Sequence, residues 1–247
     1  MVKQDDFPLN VQDVGFTYSS ADVAALAGVS LFVDSGEIVG LVGPNGSGKT
    51  TLIRLIFNLI ERQEGAILIN GDDHRGESAR TGAIYLPSDN ELPEFLTGSE
   101  YLRILAGLYR ESRAADVERV GEQFSRFGMD GRADTLIEDY SHGMQKKLLL
   151  ASAFLLRRRL TVIDETLNGI DLDAVEICKA EFEEMRARGQ GVLLCTHDFS
   201  LLEDVADRVL VLRAGRLVGN LDVCAVREGG GRLSSAVRET LVREDVG

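Results

Sequence analysis

The 247 residues, 44% of them hydrophobic, suffice for one large α/β domain or two small ones with a sizeable core. A formal charge of -13 opposes a phosphate backbone where no concentrated basic face offsets it, so nucleic acid is not an expected partner. The longest apolar stretches, 148–156 and 52–60, reach about half of the roughly 20 residues that a bilayer span needs. Residues 1–10 carry acids where a signal peptide has a basic head, and Cys178, Cys195 and Cys224 are too dispersed for metal ligation or a disulfide framework. The expected setting is the reducing cytoplasm.

In chain order, residues 9–18 and 29–33 look like short β segments of an antiparallel flap beside a core. An apolar run at 38–42 predicts a buried strand and 51–60 a helix. Further strands are predicted at 66–69, 83–86, 160–163, 192–195 and 209–212, with helical patterns between several of them. This implies an α/β core. Residues 99–156 interrupt the alternation with three helical patterns, 99–109, 114–127 and 144–156, and are expected to form an inserted helical subdomain. Arg157, Arg158 and Arg159 read as a helix C-terminus facing water. Gly229, Gly230 and Gly231 mark a loose connection, and the stretch after Asn220 suffices for one helix and a tail. The expected division is 1–98 with 157–220 as nucleotide-binding core and β subdomain, 99–156 as the helical insertion and 221–247 as tail.

Gly43-Pro44-Asn45-Gly46-Ser47-Gly48-Lys49-Thr50, followed by Thr51, matches the phosphate-binding loop in full, between a predicted strand and a predicted helix. Glycines let backbone N–H groups converge on phosphate oxygens, and the helix N-terminus adds partial positive charge. Lys49 would reach the β and γ phosphates of ATP, and Thr50 would offer its hydroxyl to Mg²⁺. The strand at 160–163 runs into two adjacent acids. Alone, such a pair is more often a helix cap or a solvated turn. Beside a phosphate loop, Asp164 is the expected Mg²⁺ holder and Glu165 the general base on the attacking water.

Tyr140-Ser141-His142-Gly143-Met144-Gln145-Lys146-Lys147 lies between those two motifs and resembles the signature segment of the ABC ATPase family. Asn168-Gly169-Ile170-Asp171 is similar to the family's dimer-contacting loop and Thr196-His197-Asp198 to its switch-histidine segment. Tyr18 stands where the family puts an adenine-stacking aromatic. The resemblance covers about residues 7–220 and implies a P-loop NTPase core with an antiparallel β subdomain. It further implies a head-to-tail dimer, with itself or a related ATPase subunit, in which Ser141 and Gly143 hold the γ-phosphate of the opposite copy. Asp171 would serve that interface, His197 would join Lys49 and Glu165 in catalysis, and a separate transmembrane permease would hold the dimer at the cytoplasmic face of the membrane.

Several positions depart from the family's pattern. Ser88 falls where a glutamine or glutamate usually contacts the metal, with Asp89, Asn90 and Glu91 as alternative ligands; Thr166 and Leu172 replace prolines, and His142 a glycine or lysine. Residues 96–102 and 140–147 look most like the ATPases of bacterial drug, bacteriocin and polysaccharide exporters. The rival expectation is a non-transport ABC ATPase acting in DNA repair or on ribosomes. Lys49 and Ser141 are too close in sequence for the long coiled-coil arm of a repair ATPase. A P-loop kinase or binding module would leave the last three motifs unexplained.

Overall fold

The computed structural model describes residues 7–89, 91–111 and 116–243. β1 (Leu9–Phe16) and β2 (Leu26–Val33) pair antiparallel, and from Val29 to Val33 burial alternates residue by residue. That is the pattern of a sheet with one wet face. β4 (Ala66–Ile69) adds to the other edge of β1, and the short β5 (Asp72–Asp73) completes the order β2-β1-β4-β5. The strand predicted at 66–69 therefore belongs to this antiparallel sheet and not to the α/β core. Its alternation of buried and half-buried side chains is what such a sheet requires.

The second sheet holds β3 (Ile38–Val42), β6 (Ala83–Leu86), β7 (Leu160–Asp164), β8 (Gly191–Cys195), β9 (Arg208–Arg213) and β10 (Arg216–Asp222), in the order β10-β9-β3-β8-β7-β6. All neighbours are parallel except β10 on β9. β3, β7 and β8 are buried at every residue, because cores lie on both faces. Alternate residues serve alternate cores: Ile38, Ile163, Val192 and Leu194 pack with the helices on one side. Val39, Leu41, Val162 and Leu193 pack towards the antiparallel sheet on the other. The carboxyl ends of β3, β6, β7 and β8 share one edge, the place where open α/β sheets bind ligands.

α1 (Lys49–Ile56) starts two residues earlier than predicted, because Gly48 at φ +107° turns the chain straight into it, and it stops before Asn58 at φ +52°. α2 (Glu77–Gly82) is short and was not expected. Between β6 and β7 come α3 (Gly98–Leu108), α4 (Val117–Arg126) and α5 (His142–Leu156), near the three helical patterns; positions 114 and 115 of the second lie outside the described residues. α3 opens with a Thr97–Glu100 capping box. α6 (Leu172–Ala187) and α7 (Phe199–Val205) flank β8. Past β10 come two helices where one was expected, α8 (Val223–Glu228) and α9 (Leu233–Arg243).

The arginine run does not simply face water. Arg157 turns the chain at the end of α5 in the left-handed conformation and faces Glu184 at 3.4 Å and Glu181 at 3.7 Å. Glu181, on α6, is 1% exposed and also bonds Arg126 of α4. Arg158 is half-buried, 2.8 Å from Glu111 and over the Tyr109 ring. A carboxylate removed from water needs such cations, since an uncompensated buried charge is strongly destabilising.

Candidate nucleotide site

The loop joining β3 to α1 closes on Lys49, which is 8% exposed. Its Nζ donates to the Gly43 carbonyl at 2.8 Å and to the Pro44 carbonyl at 3.3 Å. A Cβ on Gly43 would stand 2.1 Å from the Leu212 carbonyl oxygen, and one on Gly48 2.7 Å from that of Ala25, so neither position admits a side chain. No side chain caps the N-terminus of α1. Its first N–H groups are thus left to an anion.

Over the loop opens a cleft of about 480 Å³ lined by Tyr18, Ala25, residues 45–51, Ser88, Asp164 and Glu165. The phosphate loop, the acids at the end of β7 and Ser88, two residues past β6, come together there. Gly43 and Pro44 do not line it; their carbonyls turn to Lys49. The Tyr18 hydroxyl is 3.2 Å from Thr51 Oγ1, and its ring packs edge-on against Phe16 at 4.8 Å. Thr50 is exposed on the wall.

Asp164 ends β7 and is 3% exposed. Burial raises its carboxyl above the ordinary 3.8; the Cys195 thiol opposes this by hydrogen bonding, the Glu165 charge adds to it, and Lys49 and the Tyr85 phenol oppose it. Its Oδ2 is buried without a hydrogen-bond partner, and so is Ser47 Oγ. Two such oxygens beside a lysine and a hydroxyl-bearing helix start form a donor set suited to a hard cation and its phosphate ligands.

Glu165 takes the left-handed conformation, φ +56°, which costs a non-glycine residue about 1 kcal/mol or more and marks functional turns. Its N–H donates to the Cys195 carbonyl at 2.8 Å and its carbonyl accepts from Asn168 at 3.0 Å. One carboxylate oxygen is 2.7 Å from His197 Nε2. His197 is therefore joined to the cleft through Glu165, without lining it.

Three predicted residues lie elsewhere. Ser141 is exposed at the N-cap of α5, where its hydroxyl accepts from Met144 N at 3.3 Å, and Gly143 follows in the first turn, half-exposed. Asp171 is exposed, caps α6 by accepting from Ala174 N at 2.9 Å and meets Lys147 at 2.6 Å. None of the three lines the cleft of its own chain. Asn90 lies outside the described residues, and Asp89 is exposed next to Ser88.

The profile of the ABC transporter family matches residues 26–168. The chain belongs to that family. The uncharacterized ABC transporter ATP-binding protein YdbJ of Bacillus subtilis (strain 168) is 37% identical over 76% of this chain, which spans 61% of that relative's length. The ABC-type transporter ATP-binding protein EcsA of the same organism is 31% identical over 97% of this chain and 98% of its own. A solved ATP-binding subunit of an ABC transporter superposes with a TM-score of 0.88 at 32% identity, covering 94% of this chain and 99% of that one. The expected fold is thereby established, and the chain is an ATP-binding, ATP-hydrolysing subunit of the ABC type.

Sequence reading missed some of the site. Ala25 has no chemistry to signal it, although it lies one residue before β2. Tyr85 looked like an ordinary strand aromatic, yet it stacks on Phe57 at 5.1 Å and approaches Asp164. The Lys147–Asp171 pair joins two quoted motifs that spacing alone does not bring together.

Proposed function

We propose that the cleft binds Mg-ATP, that Glu165 is the general base of its hydrolysis, and that the cycle drives a separate membrane permease. The observation carrying this reading is the convergence on one cleft of Lys49, a buried Asp164 with an unpaired oxygen, and a Glu165 held by His197. Tyr18 stacks on the base. Lys49 exchanges its bonds to the Gly43 and Pro44 carbonyls for phosphate oxygens, an anionic acceptor replacing a neutral one. Thr50, Asp164 and Ser88 would hold Mg²⁺, which when bound would neutralise charge building on the phosphates. Glu165 takes the proton of the attacking water, while His197, in the tautomer protonated on Nε2, donates to the carboxylate and fixes its direction.

The exposed Ser141 and Gly143 act on the nucleotide of a second copy or a related subunit, so that two composite sites form head to tail. Residues 1–98 and 157–220 make the nucleotide core, 99–156 the helical signature unit and 221–247 a C-terminal extension. Among the described residues no helix is long and apolar enough to cross a membrane. In this reading the permease supplies membrane attachment, at the cytoplasmic face. The family leaves the direction of transport open; residues 96–102 and 140–147 favour export. Glu165→Gln tests the reading: it should leave ATP binding intact, slow hydrolysis about 100-fold or more, and accumulate an ATP-bound dimer in size-exclusion chromatography. Hydrolysis at the wild-type rate would remove Glu165 from the role of base.

A further inference from the structure

Parallel pairing between β6 and β7 ends at Leu86 and Ile163, two residues before Ser88 and one before Asp164 reach the cleft. Beyond that point the side chain of Thr166 links the two loops. Thr166, 0% exposed, directs its hydroxyl at the carbonyl of Leu86 at 3.1 Å and of Pro87 at 3.0 Å, with that of Asp164 at 3.4 Å. A hydroxyl has one proton, so the bond is shared among acceptors, two of which immediately precede Ser88. On its other side Thr166 directly follows Glu165, whose left-handed backbone is pinned by Cys195 and Asn168.

We infer that Thr166 is a positioning residue that fixes the Ser88 loop relative to Glu165, so that displacement of one is felt at the other. A buried threonine could satisfy its hydroxyl on the carbonyl of its own loop alone. Here the shorter contacts cross to the neighbouring strand's loop, at the point where the sheet ladder no longer holds the two together. The functional part of the inference rests on the reading of Glu165 as base; the mechanical part does not.

The test compares Thr166→Val, isosteric but without a donor, with Thr166→Ser, which keeps it. In nucleotide-free protein, hydrogen–deuterium exchange should rise in Thr166→Val at the amides of 88–89 and 165–168 and stay unchanged elsewhere, with the melting temperature close to wild type. With Mg-ATP, Thr166→Val should lower kcat about 10-fold, the worth of roughly one buried hydrogen bond, while nucleotide affinity changes less than about 2-fold. Thr166→Ser should recover most of the rate. Unchanged exchange in Thr166→Val overturns the inference. So does equal damage by Val and Ser with a lowered melting temperature, which would make Thr166 a packing residue only. If exchange rises as expected but Glu165→Gln hydrolyses like wild type, the tether stands and the assignment of the base fails.

Discussion

Two sets of polar groups on this chain differ in how they are held. Lys49, Ser47 and Asp164 are buried, converge on one cleft, and two of them keep an oxygen unpaired. Ser141, Gly143 and Asp171 stand at helix starts on the outside; Ser141 and Asp171 are satisfied by capping, and all three are directed at nothing within their own chain's cleft. The first set is organised for a ligand before any arrives. The second stands at helix starts, where the dipole and the first-turn N–H groups suit an anion brought from outside. A chain with one preorganised half and one outward-facing half is what two copies arranged head to tail would complete.

The strongest way to break that comparison is to disable the halves separately. Lys49→Ala should weaken ATP binding at least about 100-fold by removing the cation at the phosphates, as read by equilibrium titration. Ser141→Arg should bind ATP normally yet not hydrolyse it. Mixed in equal amounts, the two inactive proteins should regain about a quarter of wild-type activity, because half of randomly paired dimers carry one intact composite site. If the mixture stays inactive while both variants dimerise, the outward set does not serve a partner's nucleotide.

A smaller effect is expected inside the cleft at Ser88, whose short neutral side chain is a poor metal contact. Ser88→Gln should raise turnover about 3-fold with little change in ATP affinity, by improving the positioning on which phosphoryl transfer depends. Should Asp89 or Glu91 already supply that contact, Ser88→Gln is neutral and alanine at the responsible acid is damaging, which steady-state assays across a magnesium titration separate.

The smallest effect concerns the outer set. Lys147 holds the Asp171 carboxyl below the ordinary 3.8 by hydrogen bonding, with the Ala174 N–H adding to it. A lowered folded pKa stabilises above the unfolded value and is lost as pH falls through the folded one. Asp171 is about half-exposed, so Lys147→Met should cost only about 0.5 kcal/mol at pH 7. The difference in urea midpoint from wild type should shrink as pH falls from 5 towards 3.

The cleft half was legible in the sequence because its parts are local: a glycine-rich turn between strand and helix, and two acids at the end of an apolar run. The outer half was legible only through resemblance, since Ser141 read alone is a helix cap and the structure shows it capping. What stayed hidden depends on non-local packing. Thr166 reaches Leu86 and Pro87 across 79 or 80 residues, and Arg126 reaches Glu181 across 55. No periodicity encodes such contacts. The strand at 66–69 was visible as a strand but not as a member of the other sheet, because a run of four apolar residues carries no information about partners.

The Arg126–Glu181–Arg157 cluster has a mechanical side. It ties the carboxyl end of α5 to α6 and α4 through the buried Glu181 carboxylate, and separating those charges is costly. Ser141 sits at the opposite end, 15 helical residues away, a lever arm of about 22 Å. Were α5 to turn by roughly 10° about that charged joint, Ser141 would travel about 4 Å while Arg157 scarcely moved. The length of α5 would thus turn a small rotation at that joint into a larger displacement at its tip, where the chain presents its outward-facing hydroxyl.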